Sequence, residues 1–404
     1  DKVRANLSWL SLMVFEARFS RIALDTPELV LKRDQAGLIQ LAGLTLNGPG
    51  DGRFGNWIMR QHRIEIDQGR LVWIDAREGI PALQIDKVKL RIGNLFRIHR
   101  VELTGEPPAH LASAISVVGT LRGRDLTRLA DWSGDLKLDL AYANVAAWRP
   151  WLPLPKQLRQ GKGGVSTWFA FQGPELRQGV LQLNVSDAAL QFLPSLPQLN
   201  VRRLQGKATL NSRAGENALL LQDVLLTLPD GALLKQKQLL LERQMDSAGE
   251  LAALKLSADE LNVSHWLSLM PYLPLPPAVA NYGAGLQANG WLRQFKLSWL
   301  KPEQKDESLD FSSNFSALSL QPVHRSPGVS NLFGSVSAGA KGGALTLDCT
   351  CCALSLPDLF LEPLRFDALT GRINWRRHDA DWKVDVAQLK FNNPDVAASL
   401  SGSY

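Results

Sequence analysis

Cysteine is scarce in this chain of 404 residues: three in all, Cys349, Cys351 and Cys352, in a single run. An odd count confined to one run excludes a disulfide framework. On a continuous strand, residues 349 and 351 face one way and 352 the other, so the three cannot converge on a metal; packing is the expected role. Runs of 18 or more apolar residues are also absent, so no segment here spans a bilayer as a helix. The nearest candidate, Leu267 to Tyr282, contains Pro271, Pro274, Pro276 and Pro277, which break a helix. Blocks of like charge are missing too. The formal charge of +6 comes from 45 basic and 39 acidic residues, interleaved along the chain. That is a solvated surface, whereas nucleic-acid binders gather Lys and Arg on one face. The densest cluster is Arg372, Arg376 and Arg377, and mild attraction to anionic headgroups is compatible with it. The chain opens at Asp1 without Met or a signal-like segment, and an anchor or export signal is expected upstream.

The usual catalytic spacings are equally lacking. The six histidines are His62, His99, His110, His265, His324 and His378, and no two share the HxH, HxxH or HExxH spacing of metal ligands. His62, His99 and His378 sit beside arginine and read as surface residues. No GxSxG elbow or GxxxxGK[ST] loop occurs. Gly50-Asp51-Gly52-Arg53-Phe54-Gly55 is a literal GxGxxG, but a dinucleotide site needs a parallel βαβ unit. The residues that follow, Arg63 to Trp73, read as an antiparallel hairpin, so the glycines read as a loop. The chain is not expected to be an enzyme or to carry a cofactor or metal, since no set of titratable groups converges in the pattern.

Period-two alternation is what the chain has in abundance. Arg21-Ile22-Ala23-Leu24-Asp25, Lys87-Val88-Lys89-Leu90-Arg91-Ile92, Asp135-Leu136-Lys137-Leu138-Asp139-Leu140, Val180-Leu181-Gln182-Leu183-Asn184-Val185 and Lys383-Val384-Asp385-Val386 each predict a strand with one wet and one apolar face. Leu71 to Ile74, Trp168 to Phe171, Lys255 to Ser257, Phe295 to Trp299, Ala344 to Leu347 and Arg372 to Trp375 are of the same kind. Short polar turns between them predict antiparallel neighbours. Only brief helices are expected, over Gly55 to Gln61, Leu126 to Trp132, Val145 to Leu152 and Ser264 to Leu273, with Asn144 and Ser264 as N-caps.

Two elements recur. Asn144-Val145-Ala146-Ala147-Trp148-Arg149-Pro150-Trp151-Leu152-Pro153-Leu154-Pro155 has a partner in Asn262-Val263-Ser264-His265-Trp266-Leu267 with Pro271 to Pro276, the Leu-Pro-Leu-Pro ends starting at 152 and 273, 121 positions apart. Leu-x-Gly opens strands at Leu204-Gln205-Gly206, Leu332-Phe333-Gly334 and Leu369-Thr370-Gly371, each followed by a polar turn and a return strand, the pattern of serial hairpins. Breaks near Pro107-Pro108 and Pro302 to Glu307 are weak, so one continuous repetitive body is expected over 1–404, with sub-units near 1–155, 156–301 and 308–404. The 12 tryptophans outnumber the 4 tyrosines. Trp73, Trp168, Trp299 and Trp375 fall in strands, Trp57, Trp132, Trp148, Trp151 and Trp266 in the short helices, and core filling is their ordinary role.

The order of these elements resembles the YhdP family of AsmA-like bacterial envelope proteins. The similarity is carried by Pro27-Glu28-Leu29-Val30-Leu31-Lys32-Arg33-Asp34, Arg70-Leu71-Val72-Trp73-Ile74-Asp75, Leu121-Arg122-Gly123-Arg124-Asp125-Leu126, Trp148-Arg149-Pro150-Trp151-Leu152, Leu332-Phe333-Gly334 and Gly371-Arg372-Ile373-Asn374-Trp375. The resemblance implies a periplasmic protein of a Gram-negative bacterium, tethered to the inner membrane by an N-terminal helix not included here. It also implies carriage of phospholipid towards the outer membrane, in the style of bridge-like lipid-transfer proteins, with no catalytic residues to transfer.

Together these readings predict an all-β fold with a few short helices, an elongated, curved antiparallel sheet forming a hydrophobic, taco-like groove. Phospholipids are the expected partners and nucleic acid is not. The side chains expected to line the groove are Leu71, Trp73, Val88 and Leu90; Leu136, Leu138, Leu140 and Trp168; Leu181, Leu183 and Val185; Leu254, Leu256 and Leu297; and Leu345, Leu347, Ile373, Val384 and Val386. Alternation alone leaves a second reading open, an envelope interaction module whose apolar faces are the core of a closed sandwich.

Overall fold

The computed structural model describes the chain except residues 1, 10, 12–16, 42–43, 46–52, 77–78, 126–127, 153, 155, 276, 302–307, 323–326 and 379–380. Of the features above, Gly50, Asp51, Gly52, the Pro302 to Glu307 break, the first residues of the Leu126 helix and Pro153, Pro155 and Pro276 lie outside the described residues. The chain divides into two compact units. One is Asp1–Leu190 with Asn200–Ser212 and Leu226–Gly231, the other Gln191–Leu199 with Arg213–Leu225 and Ala232–Tyr404. The fold is all-β, 68% strand and 8% helix, and within each unit the sheet is open and curved; helix is too sparse to cover it.

The first unit begins with β1 (Lys2–Leu7), β2 (Phe19–Asp25), β3 (Glu28–Arg33), the short β4 (Ile39–Leu41) and β5 (Leu44–Thr45), and helix α1 (Arg53–Arg60). A meander follows: β6 (Arg63–Asp75), β7 (Leu83–Leu95), β8 (Ile98–Glu106), β9 (Ile115–Arg122), β10 (Ser133–Asn144), β11 (Leu158–Gln172) and β12 (Glu175–Leu190), with β13 (Leu199–Arg213) belonging here but for its end residues. Every successive pair from β6 to β12 is antiparallel. One expectation fails at the start. β2 and β3 both run parallel to β6, Ile22 opposite Ile64 and Leu29 opposite Leu71. The chain returns between them through β4, β5 and α1, a length that permits a parallel crossover. The hairpin predicted for Arg63 to Trp73 is one 13-residue strand instead.

The second unit takes most of β14 (Glu216–Thr227), then β15 (Leu233–Met245), β16 (Leu251–Asn262), α2 (Val263–Leu269), α3 (Pro277–Ala284), β17 (Ala288–Leu300), β18 (Ser308–Leu320), β19 (Gly328–Gly339), β20 (Gly342–Ser355), β21 (Leu364–His378), β22 (Asp381–Asn392) and β23 (Ala397–Ser403). From β15 onward each strand in this unit pairs antiparallel with the next.

Bulges bend these long strands. Lys87, Gln294, Cys351 and Gln388 adopt positive φ of 50° to 53° inside β7, β17, β20 and β22, and ladder registers slip beside Lys87, Gln294 and Gln388. A bulge adds twist and turns the strand, so the recurrence of bulges within each unit curves its sheet. The Leu-x-Gly signature has its cause here. Gly206, Gly334 and Gly371 take φ of 156° to 157°, and a Cβ at Gly334 would strike the Thr346 carbonyl across the ladder. Gly334→Val is therefore expected to lower stability by roughly 2 kcal/mol or more, read as a shift in the urea midpoint; an unchanged midpoint would refute the close approach.

Candidate functional site

Directly opposed residues in a ladder share a face, and in the first unit this builds continuous rows. Ile66, Leu90, Leu103, Val117, Leu138, Thr167 and Leu181 are opposed in turn across β6 to β12. Beside them run Ile64, Ile92, Val101, Gly119, Leu136, Phe169 and Gly179, in the same registers. The reverse face carries Glu65, Arg91, Glu102, Val118 and Lys137. Ion pairs Arg21–Glu65 at 2.5 Å and Lys137–Asp139 at 2.8 Å hold that wet side together.

The second unit repeats the scheme. Leu241, Leu256, Leu297, Phe311, Ala338, Gly343, Trp375 and Val384 form one row, and Val336, Leu345, Ile373 and Val386 the next. Eighteen of the nineteen predicted lining residues therefore sit on the apolar face of their unit: ten in the first and eight in the second. Trp168 does not. It lies opposite Lys137 on β10 and Val180 on β12, on the wet side, while its neighbours Phe169 and Phe171 face the apolar side. The run Thr167-Trp168-Phe169-Ala170-Phe171 has no charged residue to mark its faces, so register alone separates them. The sequence pattern does not single out Phe311, Phe315, Leu103 or Val117: the first three alternate with polar neighbours but carry no motif, and Val117 is followed by Val118.

This face is uncovered over much of its width. Val88, Leu140, Val185 and Leu347 are buried, but Leu136, Leu138, Leu181, Leu183, Leu256 and Leu297 are only half-buried. The accessible surface is 25349 Å². A compact monomer of 44.5 kDa exposes about 15,600 Å², and two compact halves about 19,000 Å², so the excess belongs to the units themselves.

Tight packing is confined to particular places. In the first unit a 3-10 turn, Val145–Trp148, folds over Leu83, Leu111, Ala112, Leu140 and Ala143. Trp148 Nε1 donates to the Leu111 carbonyl at 3.1 Å and Trp151 Nε1 to that of Pro81 at 2.9 Å. Its repeat is α2, where Trp266 Nε1 donates to Gln236 Oε1 at 3.1 Å. The cap of α2 is Asn262, accepting from the His265 amide at 3.0 Å, not Ser264; Asn144 makes no side-chain cap bond. Elsewhere on the first unit's face Arg33 pairs with the buried Asp75 and lies 5.4 Å from the Trp73 ring centroid.

His99 corrects another expectation. It is 1% exposed, stacked on Trp132 at 5.2 Å, with Nδ1 2.7 Å from Asn94 Oδ1 and Nε2 3.2 Å from the Gly123 carbonyl. Alternation places it on the apolar side of β8, and that wins over the adjacent arginines. Burial holds its pKa below the ordinary value, the Gly123 carbonyl partly opposing this. The cysteines are also rearranged. Cys351 takes φ 52°, the resulting bulge turns Cys349 and Cys352 to one face, and they form a disulfide with Cα atoms 6.2 Å apart. Both are buried against Phe315, Leu347 and Leu369, while Cys351 is free and exposed. Among the described residues no three His, Cys, Asp or Glu side chains gather as a metal site, and no helix is long and apolar enough to cross a membrane.

A family model described as YhdP protein matches residues 1–404. No curated protein and no solved structure matches the chain.

Two measurements test this geometry. A histidine whose folded pKa is depressed favours the neutral form, so its contribution is present above about pH 6.5 and is lost as pH falls through the folded value. The urea midpoint should drop between pH 7.5 and 5.5, and His99→Gln should flatten that drop; carboxylates with lowered pKa values act only below this window. Non-reducing peptide mapping should find Cys349 linked to Cys352 and Cys351 open to alkylation. Three alkylated thiols would overturn the pairing.

Proposed function

The chain belongs to the YhdP family, and from that we propose that it is a section of a periplasmic protein, anchored in the inner membrane, that passes phospholipid towards the outer membrane with the acyl chains lying on the apolar faces. The observation that carries this reading is the pair of continuous rows, Ile66 to Leu181 in one unit, apolar but for Thr167, and Leu241 to Val384 in the other. Exposed apolar strips of this extent are rare on soluble proteins unless something occupies them. Acyl chains are suitable occupants, since each buried methylene contributes about 0.8 kcal/mol. Rungs of similar Leu, Val and Ile repeat at a strand spacing of about 4.8 Å, so a tail meets nearly the same surroundings at each step and is not trapped. Arg33 with Asp75, and the disulfide of the second unit, are local features on otherwise uniform faces.

A periplasmic setting is supported by the Cys349–Cys352 disulfide, because such bonds persist in oxidising compartments. The work is burial and release, without a covalent step. The closed-sandwich alternative is disfavoured by the half-buried leucines and the large accessible surface.

Native mass spectrometry of gently purified protein should detect bound phospholipid. Leu138→Glu or Leu183→Glu removes contacts worth about two methylenes and should weaken lipid retention roughly tenfold. Lys137→Glu, one residue away on the wet face, should leave retention unchanged. Equal retention in all three variants would rule out the face as the lipid path.

A further inference from the structure

The wet faces of the two units differ in chemistry. In the first, long side chains neutralise one another: Arg63–Glu65, Arg70–Asp86, Lys87–Glu106 and Lys137–Asp139 are ion pairs within 3.0 Å. A surface filled and neutralised in this way offers little to a ligand. In the second, the same face over β16 to β21 is built from short hydroxyl side chains, and it is hollow. One row runs Ser257, Lys296, Ser312 and Ser337, the next Asn314, Ser335, Thr346 and Arg372. These rows line a depression of about 630 Å³, which continues past Lys296 and Ser312 into a second of about 850 Å³ reaching Lys255 and Lys341.

The cations here are unspent. Lys255, Lys296, Lys341 and Arg372 form no ion pair among the described residues, although Asp259, Glu242 and Asp310 also border the hollow. Arg372 is nonetheless fixed: its Nε donates to Asn374 Oδ1 at 2.9 Å, leaving the remaining guanidinium donors available for a planar oxyanion. Lys296 stands between Ser257 and Ser312 as a point charge flanked by hydroxyl donors. A hollow of this volume is larger than a lone inorganic ion requires and lies in the range of small-molecule sites.

We propose that this depression is a binding site for a phosphorylated polyol, the oxyanion held at Lys296 between the Ser257 and Ser312 hydroxyls and the hydroxyl-bearing body by the serine and threonine rows that lead across the hollow to Arg372. The site is on the face opposite to the apolar rows, so it stands or falls separately from the lipid path. Two sources share the chemistry, a soluble glycerol phosphate and the headgroup of an anionic phospholipid at a membrane surface.

The test uses the 404-residue chain. Calorimetric titration with sn-glycerol 3-phosphate is set beside sedimentation with vesicles of phosphatidylglycerol or of phosphatidylcholine alone. Saturable binding of the soluble probe identifies the first source, and retention on phosphatidylglycerol but not phosphatidylcholine vesicles the second. In either case the double substitution Lys296→Gln, Arg372→Gln should weaken binding at least tenfold, as should Ser337→Val, which narrows the hollow without touching charge. Lys137→Gln on the other unit should have no effect. The urea midpoint of each variant separates lost binding from lost folding, and acyl-chain occupancy by native mass spectrometry reports on the lipid path alone. Absence of saturable binding to either probe, or binding unmoved by both variants, overturns the proposal.

Discussion

An antiparallel ladder forces directly opposed residues onto the same side of the sheet, and the rest of this structure depends on that rule. Once Leu138 on β10 faces the apolar side, Val117 and Thr167 follow, then Leu103 and Leu181. A slip of one residue anywhere would send a leucine row into water and a charged row inward. Cross-strand ion pairs such as Arg21 with Glu65 reinforce the chosen register from the wet side, although pairs this exposed each contribute little.

Bulges are how strands of 12 to 16 residues curve without losing that sorting. The extra residue at Gln294 or Cys351 sits in the left-handed region and the apolar sequence resumes on the same face beyond it: Leu297 and Leu292 face Phe311 and Phe315, Cys349 and Cys352 face Leu369 and Phe366. The disulfide is a consequence of this geometry, since only a bulge brings residues three apart to one side of a strand. Closed packing is concentrated at the tryptophan turn of the first unit, the His99 bracket and the cluster of Phe315, Leu347 and Leu369 around the disulfide, and much of the width between stays half-covered. That is an unfavourable arrangement for a lone chain in water, and the proposed acyl occupant would relieve it.

Much of this was legible beforehand, for a physical reason. Strand alternation is local, so which side chains of Leu136-Leu138-Leu140 and Leu181-Leu183-Val185 share a side of their strand follows from the residues alone, as does the repeat that places Trp148 and Trp266 in short helical segments after β10 and β16. Local marks are absent or misleading at a few positions, and there the pairing of strands decides. Trp168 and Phe169 differ by one position in an uncharged run. The arginines adjacent to His99 point to the surface, whereas its parity in β8 turns it inward. An unbroken strand would turn Cys352 away from Cys349, but the left-handed Cys351 reverses that, and the parallel pairing of β2 and β3 with β6 depends on a return through α1 that no strand pattern encodes.

The sequence by itself determined that the chain is all-β, that each strand has one apolar and one wet side, and that Leu-x-Gly recurs where glycine is required. These follow from the two-residue period and from backbone conformations that only glycine adopts without strain. Only the tertiary structure decided which residues share a row, where bulges reset the alternation, and that among the described residues no second layer closes the apolar face within either unit. Those are properties of pairing between segments distant in sequence, and a period of two is the same whether the face it creates ends as a core or stays open.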